Sequence, residues 1–413
     1  MDAVFGAITE SLLIGVGFFY KALWPILLGV LITAAIETFV NEEKMAEILG
    51  GRDLFTSGKA TAAGAISSAC TFGAVTITST LFKKGASSES AFAFSFASTN
   101  LVFELGILIY VLLGPAFLAA EILGGFLLIA IMYLLVRLTL PEKTFEEARR
   151  KLRGGDGDDG SGPSDDPFCE YPGNPDYTLE HEGVTYQFFS EPCRQAYRRQ
   201  ISARGESRWR QLFSRSGWFR IAVNYFNTMG KIYKTVIWGF LLAGFVVGLV
   251  PREWWSFLFL EPSGFFGILE NATLGVLAGV FSFIGSIGNV PFAAALWFSG
   301  VSFAGVIALI YADLITIPVL QLWRQFLGWK ATLYVFGVFF VTMIASAVVM
   351  EYLFAALDLI PERPADVGRI LDILAPKLDF TLIMTIITLA GTGVLYWLMR
   401  ADTRKGLEEE AGR

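Results

Sequence analysis

The chain has little with which to run polar chemistry. Its 413 residues include one histidine, His181, and three cysteines, Cys70, Cys169 and Cys193. A single histidine rules out both an HExxH zinc helix and a Ser-His-Asp triad within the chain. Three cysteines are too few for the disulfide framework of a small secreted domain. There is no GxxxxGK[ST] phosphate loop, since the nearest stretch, GGRDLFTSGK at 50–59, has the wrong spacing. An enzyme is not expected, and an ATP-driven pump would need its ATPase on a separate subunit. Charged residues make up 17% of the chain, against roughly a quarter in soluble domains. The net charge of −6 offers nothing to a nucleic acid. The N-terminus, MDAVFGAITE, is acidic and lacks a small-residue cleavage site after a short apolar run, so the first hydrophobic segment is expected to stay in the mature chain.

Hydrophobic residues reach 54%, with 37 Phe and 10 Trp. A helix needs about 20 apolar residues to cross the hydrocarbon core. Candidate spans lie at 19–40, 61–82, 88–113 and 115–137, and again at 231–251, 272–298, 301–323, 330–354 and 379–399. The segment 61–82 is rich in Ser, Thr, Ala and Gly, so it either crosses or enters and returns. The expected fold is therefore an all-α polytopic membrane protein of eight to ten helices, its partner the lipid bilayer. Lys83-Lys84, the run from Arg137 to Arg153 and the arginines between Arg194 and Arg220 lie near span ends. By the positive-inside rule they place 141–230 in the cytoplasm. The N-terminus would be inside as well if 61–82 crosses fully. The stretch GGDGDDGSGPSDD at 154–166 cannot bury a core and reads as a flexible linker.

Two halves share a pattern. Cys70-Thr71-Phe72-Gly73 opens a stretch that ends at Gly85, and Gly285-Ser286-Ile287-Gly288-Asn289 opens one that ends at Gly300. Weak symmetry of this kind is common in secondary transporters, whose solute sites sit at interrupted helices near midplane. Small residues also recur simply because membrane helices pack closely. On the first reading, the candidate solute pathway comprises Cys70, Thr71, Gly73, Thr76, Ser98, Asn100, Glu104, Ser286, Gly288, Asn289, Pro291 and Asp313. Glu104 and Asp313 are candidates because ionisable groups inside a membrane are costly. Either could carry a coupling ion or proton. Pro291 is expected to help break its helix. Glu121 is read as marking the start of a span.

The stretches 26–51, 63–107 and 275–320 resemble the predicted-permease family that includes the organoarsenical efflux permeases. That resemblance implies export of a metal, metalloid or organometalloid species. This chain departs from the family's Cys-Ser-Cys-Gly motif: Cys70 and Gly73 match, but Phe72 stands at the second cysteine and Thr76 at a proline. A dithiol grip on a soft solute is thus unavailable there. In the insert, Asp166-Pro167-Phe168-Cys169 and EHEGVTYQFFSEPCRQAYRRQ at 180–200 resemble the YHS domain, a small α+β metal-associated module. Cys169 and Cys193 fall on two of its cysteine positions, and Phe189 replaces a third. Two thiolates suit a soft ion such as Cu(I), whereas structural zinc wants four ligands. The same two cysteines would equally serve as small buried apolar residues in a degenerate domain.

The expected division is a first membrane half (1–140), a cytoplasmic linker (141–166), the YHS-like domain (167–203), an amphipathic connector (204–230), a second membrane half (231–400) and a tail (401–413). Rival functions are a permease for a non-metal solute and a membrane receptor or scaffold that transports nothing. A homo-oligomer is compatible with either.

Overall fold

The computed structural model describes residues 2–39, 51, 53–67, 71–83, 85–154, 174–181, 184–203, 210, 211, 213–249, 259, 264–282, 286–362, 378 and 380–411. The first half contains α1 (Asp2–Phe39), α2 (Leu54–Ser67), α3 (Thr71–Lys83), α4 (Ser88–Asn100), α5 (Phe103–Leu112) and α6 (Pro115–Thr139). A short helix α7 (Glu142–Gly154), the strands β1 (Asn174–His181) and β2 (Val184–Phe188) and the helix α8 (Glu191–Ser202) follow. The second half contains α9 (Arg215–Leu249), α10 (Gly264–Ser282), α11 (Ser286–Ser299), α12 (Phe303–Tyr311), a 3-10 turn at Ala312–Ile315, α13 (Ile317–Leu327), α14 (Trp329–Ala356) and α15 (Phe380–Ala411). Among the described residues, seven helical stretches are long and apolar enough to span a bilayer, or eight if the bent pair α4–α5 counts as one span.

The directions of these helices follow from who touches whom. Ser57 lies against Ser90 at 3.4 Å, and Gly64 faces Phe94, Ala97 and Ser98, so α2 and α4 run in the same direction. Between them α3 runs the other way. It turns into α4 through Gly85, where Gly85 N–H donates to Phe82 O and Ala86 N–H to Leu81 O. This is a Schellman closure, and it requires the positive φ of 110° that glycine adopts freely. Helices α2 and α3 therefore form a re-entrant hairpin. Its tip, residues 68–70, lies outside the described residues.

The second half repeats the arrangement. Asn271 Oδ1 accepts from Ser302 N–H at 3.2 Å, Gly275 faces Gly305, and Gly279 faces Leu309 and Ala312. Thus α10 runs parallel to α12, and α11 returns between them. Gly300, with φ 112°, closes α11 by the same pair of bonds, to Trp297 O and from Val301 N–H to Leu296 O. Although α10 is long enough to span, its last residue lies level with the middle of the 303–327 segment. The expected span at 272–298 is thus a second hairpin, because α10 and α11 are two helices of opposite direction rather than one; residues 283–285 between them lie outside the described residues.

Among the described residues seven crossings then remain: α1, the α4–α5 pair bent by 43°, α6, α9, the α12–α13 segment, α14 and α15. Antiparallel packing of α1 on α9 is shown at both ends, Ser11 against Gly244 and Gly248, and Thr38 against Arg220 and Asn224. The backbones touch there: a Cβ on Gly244 would lie 2.3 Å from Ser11 O. Helices α6 and α14 are likewise antiparallel, with Ser346 donating to Gly124 O at one level and Thr139 paired with Tyr334 at another. Following the chain, α1 reaches the face that carries the insert, and the first hairpin enters from that face. Helix α9 leaves it, and the second hairpin enters from the opposite face. Each half thus holds a long helix, a hairpin, a broken helix and a further helix in that order, with α15 added in the second. With 61–82 not a full crossing, the N-terminus lies on the face opposite the insert.

Lipid-facing positions read as expected. Leu134 and Leu138 of α6 and Ile383, Ile386, Ile387 and Trp397 of α15 are large, apolar and exposed. Inside, Phe92, Phe96, Trp323 and Phe339 form a ring cluster that holds α4, α13 and α14 together.

The insert docks on the membrane helices. Phe188, Cys193 and Ala196 bury against Phe219 and Val223 of α9. Arg199 and Arg215 both pair with Asp402 of α15, at 2.9 and 2.6 Å. The expected connector 204–230 is not a separate element from Arg215 onward, since α9 continues unbroken to Leu249. Arg220, on its buried stretch, donates to Thr38 O and Gln211 Oε1. Burial lowers its guanidinium to about 10, still charged at neutral pH.

Candidate functional site

The two re-entrant hairpins end at one carboxylate. Thr71 is the first residue of α3 and Ser286 the first of α11, and their hydroxyls lie 2.7 Å apart across 215 residues of sequence. Ser286 Oγ donates to Asp313 Oδ2 at 2.7 Å, and Thr71 Oγ1 donates to the same oxygen at 3.2 Å. Asp313 sits on the 3-10 turn that interrupts the α12–α13 crossing, and it is 1% exposed. Thr99, at the end of α4, faces it as well. The carboxylate therefore sits by the first residues of α3 and α11, where the helix dipoles favour negative charge.

Two buried polar atoms at this site lack a hydrogen-bond partner among the described residues: Asp313 Oδ1 and Asn289 Nδ2. Asn289 is fully buried, one turn into α11, and its Oδ1 accepts from Ser282 Oγ at 3.2 Å. A buried donor and a buried acceptor without partners cost roughly 1–3 kcal/mol each. Such groups are expected where a ligand or water completes them.

Other residues singled out from the sequence fall in several places. Cys70 and Gly285 lie outside the described residues. Gly73 and Gly288 are buried, and a Cβ on Gly239 of α9 would come 2.8 Å from Gly288 O, so α11 touches α9 backbone to backbone. Ser98 is buried but donates back to Ser95 O at 3.0 Å. Asn100 Nδ2 donates to Phe96 O and Thr99 Oγ1, while its Oδ1 has no partner among the described residues. Glu104 is not in the Asp313 cluster; it accepts from Thr33 of α1 and packs on Gly29. Thr76 is exposed on the outer side of α3. Pro291 does not break its helix: α11 runs through it, because the interruption precedes Ser286 and only the bond to Ile287 O is forfeited.

Glu121 is the clearest departure. Its place in the sequence marks a span start near the interface, yet it is 1% exposed on the inner side of α6. Ser282 is a further site residue that spacing did not reveal, since it reaches Asn289 only because the hairpin folds back. No group of three His, Cys, Asp or Glu side chains able to hold a metal occurs among the described residues. Cys193 is disulfide-bonded and accepts from Ser190 Oγ at 3.2 Å. Cys169 lies outside the described residues.

Interrupted helices, hydroxyls and one carboxylate thus meet inside a helical bundle with an apolar exterior, the architecture of a membrane permease. Residues 7–352 match the predicted-permease family ArsP_1, and the chain belongs to that family. A similar protein from Mycobacterium tuberculosis, named "Putative permease Rv2963", is 32% identical over 324 residues, covering 78% of this chain and 72% of that protein. No solved structure matches the chain.

Proposed function

We propose that this membrane permease is a secondary transporter built from two duplicated, inverted halves, with its solute site between the two hairpin tips at Asp313. The observation that carries this reading is the meeting of Thr71 and Ser286, from hairpins that enter opposite faces, on one buried carboxylate with an open oxygen. A site reached from both faces through two related hairpins is what alternating access requires. The solute class is a metal, metalloid or organometalloid species moved outward. Phe72, in place of a second thiol, favours a non-metal solute as the second reading. A panel of metal and arsenical challenges to cells lacking the protein, followed by uptake into vesicles holding the purified chain, separates the two.

The insert-bearing face is the cytoplasmic one on this reading, because its basic residues cluster at the ends of α3, α6 and α9. A cysteine placed in 155–166 should not react with an impermeant thiol reagent added to intact cells. Efficient labelling from outside would reverse the orientation.

The insert would act as a YHS-like module for a soft metal. Cys193 sits where α8 meets α9, so occupancy there would be felt by the membrane helices. Binding needs the reduced thiolates, and protons compete for them. Under reducing conditions the full chain should bind Cu(I) more weakly as pH falls and lose that binding in Cys193→Ser. Equal binding by the variant would leave Cys193 a packing residue.

A further inference from the structure

We propose that Glu121 is a proton-binding site of the membrane domain, separate from the Asp313 cluster and next to it. Glu121 lies on α6, 1% exposed, and neither carboxylate oxygen has a hydrogen-bond partner among the described residues. The phenol of Tyr311 is its neighbour and donates to Ala120 O at 3.2 Å, the carbonyl just before it on α6. The same phenol is pressed against Gly124, where a Cβ would lie 2.1 Å from its oxygen. Glycine at 124 is thus what lets Tyr311 reach across to the Glu121 turn. Asp313, two residues beyond Tyr311, acts on Glu121 electrostatically with like charge.

The groups around it offer no cation. Helix α4 carries Glu89 in its first turn, at the end of the bundle away from Glu121; α5 carries Glu104 and Tyr110, α12 carries Tyr311, and the following turn carries Asp313. Helix α14 brings Glu351 and Tyr352 near this level and Lys330 and Tyr334 at the other end, where Tyr334 pairs with Thr139. Glu351 is itself occupied, accepting from Ala304 N–H. An ionised carboxylate here would face another carboxylate and receive no hydrogen bond, an arrangement that burial penalises by several kcal/mol. A metal cation would need several oxygens gathered around it, and no group of three His, Cys, Asp or Glu side chains occurs among the described residues. A bound proton removes the charge without further ligands. When the bundle opens and water reaches Glu121, its O–H gives the proton to water and leaves a hydrated carboxylate. Closing reverses the transfer. That the permease uses this proton for coupling rests on the transport reading above, but the binding itself does not.

The test therefore needs no solute. Infrared spectra of the purified full chain in lipid should show, at neutral pH, the carbonyl band of a protonated carboxylic acid. Glu121→Gln should reduce that band by one acid per chain, while Glu362→Gln, at an exposed position, leaves it unchanged. Glu121→Asp keeps a carboxyl and covers the case in which the glutamine variant does not fold: it should retain the band at a shifted frequency. An undiminished band in Glu121→Gln, or an unshifted one in Glu121→Asp, would overturn the proposal. A chain that transports nothing yet shows the Glu121 band would sink the permease reading alone.

Discussion

Asp313→Asn is expected to insert and fold normally and to transport roughly 10- to 100-fold more slowly. The range follows from hydrogen bonds to a charged group, which contribute about 1.5–3 kcal/mol, with each 1.4 kcal/mol worth a factor of ten. The asparagine is nearly isosteric, so Thr71 and Ser286 keep an oxygen to donate to. What is lost is the charge that two helix N-termini converge upon. Asn289→Ala should act in the same direction, because it removes a buried donor, one turn into α11 from Ser286, that has no partner among the described residues, while Ser282 retains its bond to Gly279 O. Initial rates in vesicles at matched protein amounts, together with thermal melting in detergent, check both. If the residues were packing contacts, melting would fall and the rate per folded chain would not. Normal rates for both variants would place the solute elsewhere.

Much of this arrangement is legible from spacing. Gly85 and Gly300 stand at the same offset as Thr71 and Ser286, and the structure gives both glycines the same helix-closing turn. Ser87 and Ser302 extend the match, each capping the next helix by accepting from the N–H three residues on. Asp313 stands out in sequence because charge is rare within an apolar run. The direction of each helix is not legible. Hydropathy treats 272–298 as a span, since an apolar re-entrant hairpin and an apolar crossing have the same composition. Only the contacts of Asn271 and Gly275 with the start of α12 tell them apart. Glu121 was misplaced for a related reason. Its distance from Pro115 suggests a shallow position, but depth in a bundle also depends on which side of the helix faces inward, and Tyr311 and Ser346 cover that side. Glu104 shows the reverse case: an ionisable residue inside a span that the fold assigns to a neighbouring helix, α1, rather than to the solute site.

The central claim is that two oppositely inserted hairpins meet at one point, and a pair of cysteines tests it most directly. Thr71→Cys and Ser286→Cys would be combined in a chain whose three natural cysteines are serine and whose 155–166 linker carries a protease site. The native hydroxyls are 2.7 Å apart, close to what a disulfide spans without backbone movement. Oxidation should join the two halves, so that the cut chain runs as one band, and transport should fall to background until a reductant is added. Two separate bands after oxidation, or a cross-linked chain that transports at the uncross-linked rate, would contradict the account.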